Sequence, residues 1–207
     1  MRCIILAEES GWEELFANKE EFVELHQVAS AEAFNQADGD VYFDFRDEAW
    51  DLPTWSLLRG RPVFISGVTG TLKNHQCTTN IIRLNTWPGM LQRPLMECVA
   101  DESIRAKAQS VLGALKKKAD WLPDTPGMVS PRVLSMIINE AWFAYGEKIS
   151  SKEDIDTAMK LGTNYPLGPF GWGEKIGLDK ICRLLSVLAM ENDRYQVAPL
   201  LLREVGL

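Results

Sequence analysis

The sequence predicts an α/β chain that gives way to helices alone, with strands alternating with helices over residues 1–123 and an all-α domain over 124–207. Three observations predict it. Short apolar runs at 3–7, 41–45 and 63–66 are bounded by turn-forming or polar stretches, the pattern of strands buried on both faces of a parallel sheet. Helical patterning falls between those runs, and alternation of strand and helix is what lays strands parallel. Beyond residue 133 the period changes: Leu134, Ile137, Ile138, Ala141, Trp142 and Tyr145 are spaced by threes and fours. That stripe belongs to a buried amphipathic helix.

Taken in order, 3–7 is the first strand, followed by the turn Ala7-Glu8-Glu9-Ser10-Gly11-Trp12 and a helix over 11–20. A second strand is expected over 22–28. Ser30 opens a short helix to residue 37, and Asp38-Gly39 turns the chain into the strand 41–45. Asp44, Arg46, Asp47, Glu48 and Asp51 then make a polar stretch with Trp50 and Trp55, read as a solvated loop with partly buried rings. The strand 63–66 runs into a glycine-rich turn, 67–72, and a polar loop carrying His75, a solvated surface residue by its surroundings. Residues 95–99 read as a further strand. A helix over 103–118 turns Ile104, Ala108, Val111, Leu112 and Leu115 inward, and Lys116, Lys117 and Lys118 suit its C-terminus. A short strand over 119–122 precedes the turn at Pro126-Gly127. In the helical half, Pro131 fits a first turn, Ser150 with Glu153 reads as a capping box, and Gly162 as the residue that ends the second helix. A third helix follows Tyr165–Phe170 in sequence, then a long one through Ile181, Leu184, Leu185 and Leu188, then a tail helix over 199–205.

Composition narrows the function. A net charge of −7 leaves no basic stripe for neutralising phosphates, which argues against a nucleic-acid partner. Cys3, Cys77, Cys98 and Cys182 form no Cys-x-x-Cys pair, and His26 and His75 are the sole histidines, so no metal site is expected. Free thiols suit a reducing compartment. The N-terminal apolar run is too short for a signal peptide or a membrane span, giving the expectation of a cytoplasmic protein with no membrane partner.

Four motifs carry more than composition: Asp124-Thr125-Pro126-Gly127, the run Lys152-Glu153-Asp154-Ile155-Asp156-Thr157-Ala158-Met159-Lys160-Leu161-Gly162, Tyr165-Pro166-Leu167-Gly168-Pro169-Phe170 and Gly177-Leu178-Asp179. In this order and spacing they resemble the C-terminal helical domain of the 3-hydroxyacyl-CoA dehydrogenase family. The resemblance implies a truncated Rossmann-like parallel sheet over 1–123 and an all-α, dimer-forming domain over 124–207. It also places site residues. Thr69 takes the position whose hydroxyl holds the substrate oxygen, Asn85 the position of the general-base histidine, and Glu97 that of the glutamate orienting it.

At each of these positions the chemistry is thinned. An asparagine amide hydrogen-bonds but accepts no proton near neutral pH. Glu97 then has Arg83 as its nearest natural partner. Pro131 replaces a second substrate-contacting asparagine. The phosphate-binding Gly-x-Gly-x-x-Gly is reduced to Gly11, with Glu8 and Glu9 where phosphates would lie, and no acid closes the second strand to hold a ribose. The leading expectation is therefore a degenerate relative with weak or no NAD-linked activity, acting as a binding protein or dimeric scaffold. One alternative is an active NAD-dependent dehydrogenase of 3-hydroxyacyl-CoA or related hydroxyacids. Another is an acyl-CoA-binding module, in which Lys116–Lys118 offers charges to coenzyme A phosphates.

Overall fold

The computed structural model describes residues 1–8, 10–58, 60–77 and 79–207. The chain forms two compact units, Met1–Met128 and Val129–Leu207.

The first unit is built on one seven-stranded sheet in the order β2-β1-β3-β4-β5-β6-β7. Its strands are β1 (Arg2–Leu6), β2 (Glu24–Val28), β3 (Val41–Asp44), β4 (Val63–Ser66), β5 (Ile81–Leu84), β6 (Leu95–Ala100) and β7 (Lys118–Trp121). Neighbours run parallel except at β5 and β6, which pair antiparallel. The sheet has seven strands, and the ten residues between β5 and β6 reverse the chain with no crossover helix. Strand order reverses around β1, as it does in doubly wound dinucleotide-binding sheets.

Both faces are covered, which is why the strand sequences run apolar rather than alternating. Cys3, Ile5, Phe43, Phe64, Leu84 and Cys98 join one cluster. There they meet Ile104, Ala108, Val111 and Leu112 of α3 (Glu102–Ala114) and Leu115, the residue following it. Ile4, Tyr42, Val63 and Ile65 point to the other face, against Phe34 of α1 (Ala31–Gln36) and Trp55 of α2 (Leu52–Ser56). Ser30 caps α1 through the Ala33 amide at 3.2 Å, as its sequence implies.

Three local expectations need correction. The stretch after β1 is a single 3-10 turn, Trp12–Phe16, not a helix over 11–20. The helix α3 stops at Ala114 because Lys116 takes a left-handed φ of 58° and Lys118 already pairs in β7. Trp55 lies in a helix and is buried, where a loop was expected.

The second unit consists of α4 (Ser130–Gly146), α5 (Lys152–Thr163), α6 (Pro169–Ile176), α7 (Leu178–Ala189) and α8 (Pro199–Glu204). The buried face of α4 carries Ile138, Ala141 and Trp142 but also Ser135 and Asn139. Asn139 is satisfied there, donating to the Gln196 carbonyl and accepting from the Ala198 amide, both at 2.8 Å. The cap of α5 is Ser151, whose Oγ accepts from the Asp154 amide at 3.1 Å, rather than Ser150. Its end is Asn164 at φ 56°, two residues past Gly162. Among the described residues, no helix is long and apolar enough to cross a membrane.

Candidate functional site

In open α/β sheets ligands bind outside the carboxyl ends of the strands, where strand order reverses. Here that place is defined by the segments following β1 and β3. The residue after β3 is Phe45, and its ring stacks on Trp12 of the 3-10 turn at 6.5 Å and on Phe43 at 5.8 Å. Gly11 sits at φ 103°, and its amide donates to Glu13 Oε2 at 2.8 Å. The glycine amide that would greet a phosphate is already taken by a carboxylate of the same turn. No α-helix starts there, and the first turn of the 3-10 segment is acidic. Glu8 is exposed, and Glu9 falls outside the described residues. Nor does β2 end in an acid: its last residues are His26, Gln27 and Val28. Among the described residues, the turn after β1 presents no α-helix N-terminus and β2 ends without an acid, so neither offers the usual partners of a pyrophosphate or a ribose.

The last residue of β3, Asp44, is buried and ion-paired. Arg46 grips it with two N–H groups, at 2.9 and 2.6 Å, and Trp55 Nε1 donates to it at 2.9 Å. The same guanidinium reaches Asp51 at 3.0 Å, and these hydrogen bonds raise its pKa, Asp44 contributing most. Asp51 in turn caps α2 through Thr54. The polar bay is therefore a hydrogen-bonded network rather than a solvated loop.

Beyond β4 lies the turn that bears Thr69. Glu48 closes over it: Oε1 accepts the Thr69 amide at 2.5 Å, and Oε2 accepts the Gly70 amide at 3.1 Å and Trp50 Nε1 at 2.8 Å. The Trp50 ring is sandwiched against His75, centroid to centroid 3.9 Å and 8° from parallel. His75, expected on the surface, is partly buried; that burial holds its pKa below the usual imidazole value, with Glu48 opposing and Arg83 assisting.

From beneath, the same turn is held by Arg83, which has no exposure to water. Its Nε donates to the Gly67 carbonyl at 2.7 Å and its Nη1 to Asp124 Oδ1 at 2.5 Å. Asp124 also accepts the amides of Leu72 and Lys73, and the Gly127 amide donates to the Val68 carbonyl. The acid paired with Arg83 is thus Asp124, where the sequence suggested Glu97. A strand reading Ile-Ile-Arg-Leu did signal that its arginine needed a buried partner; the partner's position, 41 residues on, was not readable.

Asn85 and Glu97 face one another across the antiparallel β5–β6 ladder. The Asn85 amide donates to the Glu97 carbonyl at 3.1 Å, and its Nδ2 donates to Glu97 Oε2 at 3.4 Å. Asn85 Oδ1 accepts the Trp87 amide at 3.3 Å. The side-chain amide is so oriented that oxygen caps the strand end and nitrogen meets the carboxylate. Thr69 stands on a different loop, its amide committed to Glu48. The three basic residues after α3 are dispersed: Lys117 is buried, donating to the carbonyls of Leu91 and Arg93, and Lys116 pairs with Glu20. Among the described residues, no group of three acidic, histidine or cysteine side chains is placed to hold a metal.

Comparison with known proteins bears on the second unit above all. The model of the 3-hydroxyacyl-CoA dehydrogenase C-terminal domain matches residues 127–206. Residues 127–206 are thus a domain of the 3-hydroxyacyl-CoA dehydrogenase C-terminal type. A 3-hydroxybutyryl-CoA dehydrogenase of Clostridioides difficile is 44% identical over 117 residues, covering 54% of this chain and 42% of that protein. A 3-hydroxyadipyl-CoA dehydrogenase of Escherichia coli is 42% identical over 105 residues, covering 50% of this chain and 22% of that one. The chain thus spans less than half the length of these curated relatives. The crystal structure of (S)-3-hydroxybutyryl-CoA dehydrogenase from Ralstonia eutropha superposes over 87% of this chain and 69% of that one, at TM-score 0.73 and 23% identity, a likeness of fold. The α/β sheet followed by a helical domain is the architecture of that family.

Local contacts account for the motif residues of the second unit. Asp156, inside α5, accepts the Phe170 amide at 2.8 Å and the Gly171 amide at 3.0 Å, capping α6. Gly168 has to lack a side chain, since a Cβ there would lie 2.3 Å from the Asp156 carboxyl carbon.

Proposed function

We propose that this 3-hydroxyacyl-CoA dehydrogenase-family chain carries weak or no NAD-linked activity and serves as a binding protein or dimeric scaffold. The observation that carries the reading is the turn after β1, where Glu13 holds the Gly11 amide and no α-helix N-terminus faces the strand end. A carboxylate at that amide opposes a phosphate at contact distance. The substitution at Asn85 agrees with it, because loss of a general base lowers rate by about 10²–10⁴.

Titrating NADH against the fluorescence of the seven tryptophans, with and without acetoacetyl-CoA, tests the reading. It predicts no saturation up to millimolar NADH. Saturable binding in the micromolar range would instead favour an active dehydrogenase, with Thr69 and Asn85 holding the substrate oxygen and Glu97 or water handling its proton.

A second reading, an acyl-CoA-binding module, is favoured by one feature. A cleft of about 330 Å³ opens beside Leu72 and Val99; its edge carries Lys73 and Arg105, cations suited to phosphate groups, together with the acids Asp101 and Asp124. Affinity for acetoacetyl-CoA without affinity for NADH would select it. We further propose that the helical unit dimerises and that the protein works in the cytoplasm.

A further inference from the structure

The turn after β4 contains two glycines, and neither takes a left-handed φ. Backbone conformation therefore does not require them; space does. A Cβ on Gly70 would lie 2.4 Å from Trp50 Cζ2, and one on Gly67 would lie 3.1 Å from the same atom. Both glycines make room for the strap of residues 46–51 that lies on the turn.

The strap is strained where it closes. Glu48 and Trp50 sit at φ 49° and 43°, both non-glycine residues in the left-handed region. Such residues persist when surrounding contacts over-determine them. Those contacts converge on one carboxylate: two adjacent backbone amides and an indole N–H all donate to Glu48. Paired amides of this kind form a concave anion site. The ends of the strap are tied without Glu48, Arg46 to Asp44 and to Asp51, and Asp51 to Thr54. Release at Glu48 therefore relaxes the two strained residues without unravelling the anchors.

We propose that the Thr69–Gly70 amide pair is a carboxylate-binding site that the chain fills with its own Glu48, and that the 46–51 strap is its displaceable cover. The ligand class is a small organic acid presenting one carboxylate, bound as Glu48 is, one oxygen to each amide. The inference stands on the first unit alone and holds whether or not NAD or an acyl-CoA binds.

The test follows the Thr69 and Gly70 amide resonances of the ¹⁵N-labelled full chain during titration with sodium acetate. In the native protein neither should move. In Glu48→Ala both should shift saturably, since acetate replaces the missing carboxylate. Gly70→Ala, which expels the Trp50 ring but keeps Glu48, should also confer a response, at higher acetate concentration because Glu48 still competes. A folded Glu48→Ala protein whose two amides ignore acetate overturns the proposal, as does a native protein that responds equally. Should Glu48→Ala fail to fold, amide hydrogen exchange decides. Protection of Thr69 and Gly70 in the native chain, lost in Gly70→Ala, supports the cover; exchange at unstructured-peptide rates in the native chain overturns it.

Discussion

A guanidinium shut away from water must be ringed by oxygen atoms, and Arg83 draws on Gly67, Val68, Asp124 and Thr125 for them. Burial lowers its pKa, and Asp124 opposes that shift. Arg83→Met leaves Asp124, a quarter exposed, with the Leu72 and Lys73 amides, but strands the buried carbonyls of Gly67 and Val68, so it should cost about 1–3 kcal/mol in a urea titration. A second residue-scale prediction concerns His75. Its folded pKa lies below the unfolded value, so the unfolded chain binds the proton more readily. The stabilisation is complete above the ordinary imidazole pKa of about 6.5 and is lost as pH falls through the folded value. A His75→Gln variant should flatten that decline in thermal melts between neutral and mildly acidic pH. Cys77, partly buried and pushed up to about 11, should alkylate first but slowly at neutral pH; Cys3, pushed up to about 12 by burial, should stay unlabelled until the chain unfolds. Free thiols were legible in the sequence because their spacing admits no pairing motif. The Arg83–Asp124 tie was not, because a side chain's ionic partner depends on where the backbone returns.

Among elements, α5 shows how a helix with no fully buried residue is nonetheless held. Its first residue, Lys152, places Nζ 4.2 Å from the ring centre of Trp142, 5.2 Å from Tyr145 and 5.5 Å from Phe170. Lys152→Gln should therefore lower stability by about 0.5–1 kcal/mol, more if the ammonium is strongly desolvated. At mid-helix, Asp156→Ala uncaps α6 at a cost of about 0.5–2 kcal/mol, readable as a lower urea midpoint. Gly168→Ala should do comparable harm, and the two effects should not add, since both act on one contact. The amphipathic stripe of α4 and the inward face of α3 were legible because helical period reports burial directly. Helix ends were read less well. Ser150 and Ser151 are chemically equal caps, and the path of the preceding turn, with Lys148 at φ 60°, chooses between them.

At the scale of the molecule, the two-sided burial of the sheet and the all-helical second unit were both present in the sequence as changes of period. The strand count was not, because β5 is only four residues long and carries Arg83 inside it. The helical unit leaves Ile149, Leu161 and Met190 more than two-thirds exposed. Light scattering at micromolar concentration is expected to give twice the 23.3 kDa chain mass, and a monomer would count against the dimer. The single antiparallel junction carries a kinetic consequence. Every parallel pairing in this sheet must wait for a long connection to close, whereas β5 and β6 meet through a short reversal. Pulse-labelled refolding should therefore find the amides of 81–84 and 95–100 protected early, with β1, hydrogen-bonded to both β2 and β3, zipped up afterwards. The strand pair that joins Asn85 to Glu97 would then be the seed from which the rest of the sheet grows.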